Sequence, residues 1–556
     1  MVHRVRSLGG RGLALAVTAI VAILARTRFF GFTSVDYNFF LRPWYRFIQV
    51  FNGWPALRFE FANYSPPYLY LLTLIQTQAT ALEPLVAIKL ISVGFDVLLA
   101  AACFLLIRAS RPGFGYAWAG FSAVLFCPTV FANSAVWGQA DPIYTSFCIL
   151  AVWRLAKRDT TGALVCYAIA FSFKLQAIFL LPLFVFLTVR RQLNWRTWLI
   201  LPTVFALSGV PSMALGRPGL SPWSAYFTQV NIHEQLTNLA PNLFQLLPTE
   251  PRAPLTMVGI VLAGSFVALL GLAIVRFQVD VMDHSALIAC LLFMGVPFLL
   301  PRMHDRYFYP ADVLSIVLAV THPRLRWLPL LVVGASWLAY ITYLYEFNAI
   351  PLWLGTGLLA LALGGTARYA FNLWRTKPKT VEPAIARSIS LAATLATVGA
   401  TAAALIGASM IGAAVRSSID ERTFMATFTN GEARINSYLA GAVVCRDQLA
   451  LRIIWDTPHG MQEERTVSTF VHVLDATGAK IAQADGYIDG ILGLNLLQNG
   501  RVDERRIPLP AGSKPATVVF GAYFEQGVER FQATRLDGSP LPDDSASVPV
   551  TEKTCP

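Results

Sequence analysis

The sequence predicts an all-α polytopic membrane bundle of about 13 helices, followed by an extracytoplasmic all-β sandwich. Three observations carry this expectation. The 556 residues are 55% hydrophobic and only 14% charged, with mean hydropathy +0.54, whereas soluble domains carry roughly 25% charged residues. The charge is split along the chain: from Asp420 onward there are 13 Lys and Arg against 18 Asp and Glu, so the part before it holds the whole basic excess. Finally, apolar segments recur up to about residue 415, and alternating runs punctuated by turn residues replace them after it. The division is therefore a membrane domain over 1–416 and a β-domain over 417–556.

Spans are expected near 11–29, 83–108, 114–133, 142–157, 160–176, 178–190, 196–215, 255–276, 284–301, 308–321, 327–346, 351–373 and 388–415. The basic N-terminus leads into the first, and Arg26-Thr27-Arg28 is a poor cleavage context, which points to an uncleaved span. Alternate junctions are rich in Arg and Lys: Arg4/Arg6/Arg11, Arg108/Arg111, Lys157/Arg158, Arg190/Arg191/Arg196, Arg276, Arg324/Arg326 and Arg375/Lys377/Lys379/Arg387. With a cytoplasmic N-terminus all of these lie inside, and the C-terminal domain lies outside. This arrangement requires that Pro66–Ala81 not cross. It is short, opens on two prolines and carries Gln and Thr, as an interfacial or re-entrant helix would. The basic excess is then a matter of topology and anionic lipid, and no basic, aromatic-interleaved soluble stretch suggests nucleic acid.

The tail has strand-like runs at Leu449–Trp455, Val467–Val473, Ala516–Tyr523 and Phe531–Thr534, with turns at Ala476-Thr477-Gly478, Asp485-Gly486, Asn499-Gly500, Pro510-Ala511-Gly512 and Asp537-Gly538. Trp455, Tyr487 and Tyr523 could stack on sugars or fill the core. Five cysteines (Cys103, Cys127, Cys148, Cys166 and Cys290) fall in apolar segments as small core residues. Cys445 and Cys555 are the two in the tail, where an oxidising compartment would allow a disulfide.

Polar clusters interrupt the apolar pattern on the predicted outer side. Asp36 follows the first span, within the loop 30–82, and precedes the aromatic, basic stretch Phe39–Trp54, which suits an interfacial helix. Asp36 is either a solvated loop residue or a general base taking a proton from a sugar hydroxyl. Trp137-Gly138-Gln139-Ala140-Asp141 ends a span; Asp141 before Pro142 fits helix capping, which leaves Gln139 the better ligand. Lys174, between Phe173 and Leu175 and near Gln176, either snorkels or contacts phosphate. Arg302 and Arg306 flank His304-Asp305 on a side where the positive-inside bias disfavours Arg; an anionic ligand or a pair with Asp305 would explain them. The loop 216–254 carries Gln229, Asn231, His233, Glu234, Asn238 and Asn242, an amide-rich set suited to sugar but too weak to define a site. Metal-ligand spacing, a P-loop, a dinucleotide fingerprint and a nucleophile elbow are all missing from the sequence.

The run Asn63-Tyr64-Ser65-Pro66-Pro67-Tyr68-Leu69-Tyr70-Leu71-Leu72 resembles the NYPPLYLYLL signature of GT-C polytopic glycosyltransferases. VWGQADPIYTSF, FSFKLQAIFLLPL and PRMHDRYFYPADVL follow in order. Together, over roughly 30–320, they resemble bacterial relatives of the GPI-anchor mannosyltransferases. The resemblance implies an inverting hexosyltransferase of a bacterial inner membrane. It would move a sugar, with mannose the expected one, from a polyprenyl-phosphate carrier to a glycan or glycolipid acceptor on the outer face. By position Asp36 matches the family's acidic residue and would be the base. Lys174, Gln176, His304 and Arg306 lie in matching motifs and would serve the carrier phosphate and leaving group, with Arg302 beside them. Tyr64 and Gln139 would shape the sugar pocket, and Trp137, Asp141, Asp305 and Asn242 join the substrate-binding set. The first loop has one Asp where metal-dependent members carry DxD, so no metal or other cofactor is expected. Two other classes compete: a flippase or transporter of a lipid-linked sugar, which should show symmetric broken helices, and a non-catalytic glycan-binding scaffold.

Overall fold

The computed structural model describes residues 2–228, 235–247, 253–376 and most of 424–552, with a few isolated positions between 399 and 414. Each of the twelve apolar segments expected before residue 377 falls on helix. Five helices are long and apolar enough to cross a membrane: Gly10–Thr27, Pro84–Ser110, Trp195–Ala214, Pro254–Arg276 and Pro323–Tyr345. A sixth span results if Phe114–Leu125 and Pro128–Trp137, bent by 50°, count as one. Four further apolar helices, Thr160–Phe173, Leu175–Val189, Ser285–Leu299 and Tyr309–Thr321, are shorter. The chain is thus a membrane-type helical region followed by a β-domain. The thirteenth expected span, 388–415, and the 416/417 boundary lie outside the described residues.

Pro66–Gln78 is a helix of 13 residues, or about 20 Å at 1.5 Å per residue, too short for a hydrocarbon core of about 30 Å. Arg42–Val50 is amphipathic as expected, but its apolar face is covered by protein. Trp44, Tyr45, Phe47 and Ile48 are buried with Leu69 and Leu72 of the neighbouring helix and with Ile454 and Val502 of the β-domain. Arg501 of the β-domain donates to the Phe39 carbonyl at 2.5 Å, so the first loop and the β-domain share one core.

Two buried cations between helices are paired, as burial demands. Arg26 Nε lies 2.8 Å from Asp96 Oδ2, and Lys89 Nζ donates to the carbonyls of Phe29, Phe30 and Phe32 at 2.6–3.1 Å. The basic junctions also gather: Arg158 pairs with Asp280 and Asp283 at 2.8 and 2.6 Å, and Arg190 reaches the Val279 carbonyl at 3.3 Å. The five apolar-segment cysteines are free, four of them buried.

The β-domain is two sheets face to face. One orders Gln532–Thr534, Phe424–Asn430, Ala433–Cys445, Gln448–Asp456 and Arg501–Pro508 side by side; the other is centred on Val467–Asp475 and Pro515–Phe524. The four strand-like runs are strands, and Gly478, Gly512 and Gly538 take the positive φ that their turns need. Trp455 of the first sheet lies 5.8 Å from Phe520 of the second and is fully buried. It is a core residue with no face for a sugar. Tyr523 is half-buried, and Tyr487 is exposed, its hydroxyl 3.2 Å from Glu525. The proposed Cys445–Cys555 pair lies outside the described side chains.

Candidate functional site

The four polar motifs, scattered over nearly 300 positions, meet at one cavity of about 680 Å³. Ser34 caps the helical run that carries Asp36: its hydroxyl accepts from the Tyr37 N–H at 3.1 Å. Asp36 then sits in the first turn, where the helix dipole favours a carboxylate. Two π-helical turns frame it, Tyr37–Leu41 and Ala132–Trp137; such turns are rare and concentrate at functional sites. Gly138 ends the second at φ +78°, a left-handed conformation that suits glycine. That turn lets both neighbours reach one oxygen: Trp137 Nε1 and Gln139 Nε2 donate to Asp36 Oδ2 at 2.9 and 2.6 Å. The Tyr343 hydroxyl, from the helix Leu328–Tyr345, donates to Oδ1 at 2.9 Å. Tyr64 reaches the Gln139 amide oxygen at 3.4 Å, and Ser65 ties its motif to the Phe173 carbonyl at 2.7 Å.

Arg306 is the electrostatic centre. Its guanidinium lies 3.5 Å from Asp36, 3.6 Å from Asp141 and 3.7 Å from Asp305, with Trp137 beneath it at 5.1 Å. Lys174 Nζ lies 2.6 Å from Asp141 Oδ1, and Asn133 donates to the other Asp141 oxygen at 3.0 Å. The helix-capping reading of Asp141 is therefore replaced. Its side chain makes no cap bond and is a fully buried counter-ion. Lys174 does not snorkel either; it is buried, paired and cavity-lining. It keeps donor capacity beyond that pair, since an ammonium has three N–H groups. Arg306 does contact Asp305, as the pairing alternative expected, and Asp36 and Asp141 besides.

The Arg302–Tyr307 turn is held from outside its own helices. Met303–His304 pairs in parallel with Thr237–Asn238, and the Asp305 N–H donates to the Asn238 carbonyl at 3.0 Å. Arg302 and Leu239 sit at φ +60° and +57°, strained conformations for non-glycine residues that persist where surroundings over-determine them. Burial pushes the Asp305 carboxyl up to about 7; Arg306 opposes this, and the nearby Asp36 charge adds to it.

Asp36, Tyr64, Gln139, Lys174, Gln176, Arg302, His304, Asp305 and Arg306 all line the cavity, and Trp137 and Asp141 support it from behind. Asn242 stands apart: it is buried and donates to the Leu300 carbonyl at 3.0 Å, bracing the loop. His233 and Glu234 lie outside the described residues. The opposite wall is apolar, with Ile178, Ile260, Leu300 and Met303. Ile178 and Ile260 are among the exposed hydrophobic residues, so the oily wall continues onto the outer surface of the helices. Sequence reasoning missed Tyr343, Tyr340 and Asn133. Their only signal is a polar group in an apolar helix, which many core residues share. Among the described residues no His, Cys, Asp or Glu group is arranged to hold a metal ion. No family model matches the chain, and no curated protein matches it either.

Proposed function

We propose that the chain is a membrane glycosyltransferase of the GT-C kind, moving a hexose, with mannose the first expectation, from a polyprenyl-phosphate carrier to a glycan or glycolipid acceptor with inversion. The observation that carries this reading is a carboxylate, Asp36, held 3.5 Å from Arg306 in one amphipathic cavity that Lys174 and His304 also line, with an apolar wall that includes the exposed Ile178 and Ile260. A polyprenyl phosphate is an anion on an oily tail, and the cavity offers both chemistries side by side. The convergence of the four motifs supports the family resemblance. In this reading the bundle has about thirteen spans, the cavity faces the extracytoplasmic side of a bacterial inner membrane, and the N-terminus is cytoplasmic.

The acceptor hydroxyl gives its proton to Asp36 while its oxygen bonds to the anomeric carbon. The bond from that carbon to the phosphate oxygen breaks, and its electron pair leaves with polyprenyl phosphate. Arg306, Arg302 and His304 stabilise the departing charge, and Lys174 adds donors. Tyr343, Gln139 and Trp137 aim the carboxylate, and the acceptor hydroxyl takes the remaining lone-pair direction of Oδ1. No step uses a metal or other cofactor.

The test uses full-length protein in nanodiscs with short-chain polyprenyl-phosphate mannose and a panel of glycan and glycolipid acceptors, read by mass spectrometry. Acceptor plus one hexose from wild type, reduced about 10²- to 10⁴-fold in Asp36→Asn, is the expected result. Equal product from the variant removes Asp36 as base. Carrier movement across the bilayer without a new glycosidic bond would favour the flippase reading instead.

A further inference from the structure

A second cavity, of about 720 Å³, lies between the first loop and the β-domain. We propose that it is the subsite for the distal part of the acceptor, and that it takes a neutral oligosaccharide chain; this rests on the glycosyl-transfer reading above. One wall is the face of a sheet. Thr534, Thr427, Asn436 and Asp456 form a single cross-strand row over four adjacent strands, each directly opposite the next, and all four line the cavity. The row presents hydroxyl, hydroxyl, amide and carboxylate in sequence, the groups that pair with sugar hydroxyls. Thr427 donates to Asn436 Oδ1 at 2.9 Å, which turns the amide N–H₂ outward as a donor.

The facing wall is aromatic. Phe47, Phe51 and Phe59 pack with centroids 4.6–5.5 Å apart, and Tyr438 closes on Phe59 at 5.9 Å. An aromatic wall opposite a polar row matches a pyranose, which has apolar C–H faces and a polar rim. Charge selects the class further. Arg58, Arg434 and Arg535 are set against Glu60 and Asp456 in the same lining, and the Arg58 guanidinium lies over the Phe59 ring at 4.2 Å. Three cations against two anions leave a net charge of only +1 in the lining, which favours a neutral chain over a polyanion.

Position links the two cavities. The helix Arg42–Val50 forms a wall of both: Trp44 lines the first, and Phe47, one turn on, lines the second. Three residues of helix rise about 4.5 Å, close to the length of one sugar unit. In this proposal a chain whose terminal hydroxyl meets Asp36 runs past Trp44 and lays its next units between the phenylalanines and the sheet.

The experiment titrates full-length protein in nanodiscs, without donor, against neutral oligosaccharides of one to six units built from mannose, glucose or galactose, with an oligogalacturonide as the anionic control. Saturation-transfer NMR and calorimetry read binding. The expected result is affinity that rises with length for at least one neutral series. In Thr429→Trp, which fills the cavity from the sheet side, and in Asn436→Ala, which removes the amide, that rise should shrink by about tenfold. Overturning results are no neutral series bound, length-independent binding, or an unchanged rise in both variants. Length-dependent binding without any transfer keeps the oligosaccharide site but removes the transferase and with it the acceptor role. Transfer with equal affinity for short and long acceptors removes this assignment alone.

Discussion

The Tyr343 hydroxyl donates to Asp36 Oδ1 at 2.9 Å, joining residues 307 positions apart in the chain. The same ring stacks on Trp137 at 4.7 Å and 22°, and Trp137 donates to the other Asp36 oxygen. The carboxylate is thus gripped from both sides by a stacked aromatic pair. Tyr343→Phe keeps the stack and deletes one bond to Asp36. Hydrogen bonds to charged groups contribute about 1.5–3 kcal/mol. We expect kcat to fall about tenfold with donor KM nearly unchanged, because aim is lost while the phosphate contacts remain. A rise in KM at constant kcat would make Tyr343 a binding residue instead.

Asp305 gives the site a pH dependence. Its carboxyl titrates near 7, in the turn outside the flanking helices. Below that value it is neutral, and Arg306 is shared between Asp36 and Asp141 only. Above it a third negative charge competes with the carrier phosphate for Arg306. The donor, a phosphodiester, keeps its single charge throughout. Donor KM should therefore be flat below about pH 7 and rise above it, and Asp305→Asn should abolish the rise. Parallel profiles for wild type and variant would place the dependence elsewhere.

The helical region and the strands around Trp455 were legible in the sequence because burial writes itself as apolar runs and alternation. So were most of the cavity-lining residues, through four motifs whose order mattered more than any one of them. The partners were not. Phe173 and Leu175 flank Lys174, and nothing local reveals Asp141, 33 positions earlier, as its counter-ion. Asp141 before Pro142 fits a local capping rule, but the side chain obeys a stronger demand, the neutralisation of a buried ammonium. The protein cover on Arg42–Val50 was illegible for a related reason. An amphipathic aromatic face looks the same whether lipid or a β-domain covers it.

The β-domain aromatics should separate by burial. Trp455 is fully buried against Phe428 and Phe520, so Trp455→Ala should cost about 3–5 kcal/mol. Tyr487 is exposed and makes one surface hydrogen bond, so Tyr487→Ala should stay within about 0.5 kcal/mol. Limited proteolysis of the full chain, monitored at cleavage within 424–552, distinguishes them: faster cutting is expected for the first variant alone. Wild-type resistance in Trp455→Ala would contradict the core assignment.

The Lys174–Asp141 pair should behave as a buried pair, not as a surface one. The side chains are 7% and 0% exposed, with the charges 2.6 Å apart. Removing one partner of such a pair typically costs about 3–5 kcal/mol, because the other charge is left buried and uncompensated. Lys174→Met strands Asp141 with Arg306 at 3.6 Å and the neutral Asn133 amide at 3.0 Å to offset it, and should lower the thermal midpoint in detergent by several degrees. Asp141→Asn in the same chain removes the stranded charge and keeps an acceptor for Asn133, so the double variant should regain a large part of the loss. Residues in direct contact are coupled, so the two single effects should not add. Transfer should stay low in the double variant, since Lys174 also lines the cavity. Recovery of stability without recovery of activity would assign Lys174 both roles, counter-ion to Asp141 and donor to the carrier phosphate. Additive losses of stability would show that the pair contributes little, and that the cluster is held chiefly by Arg306.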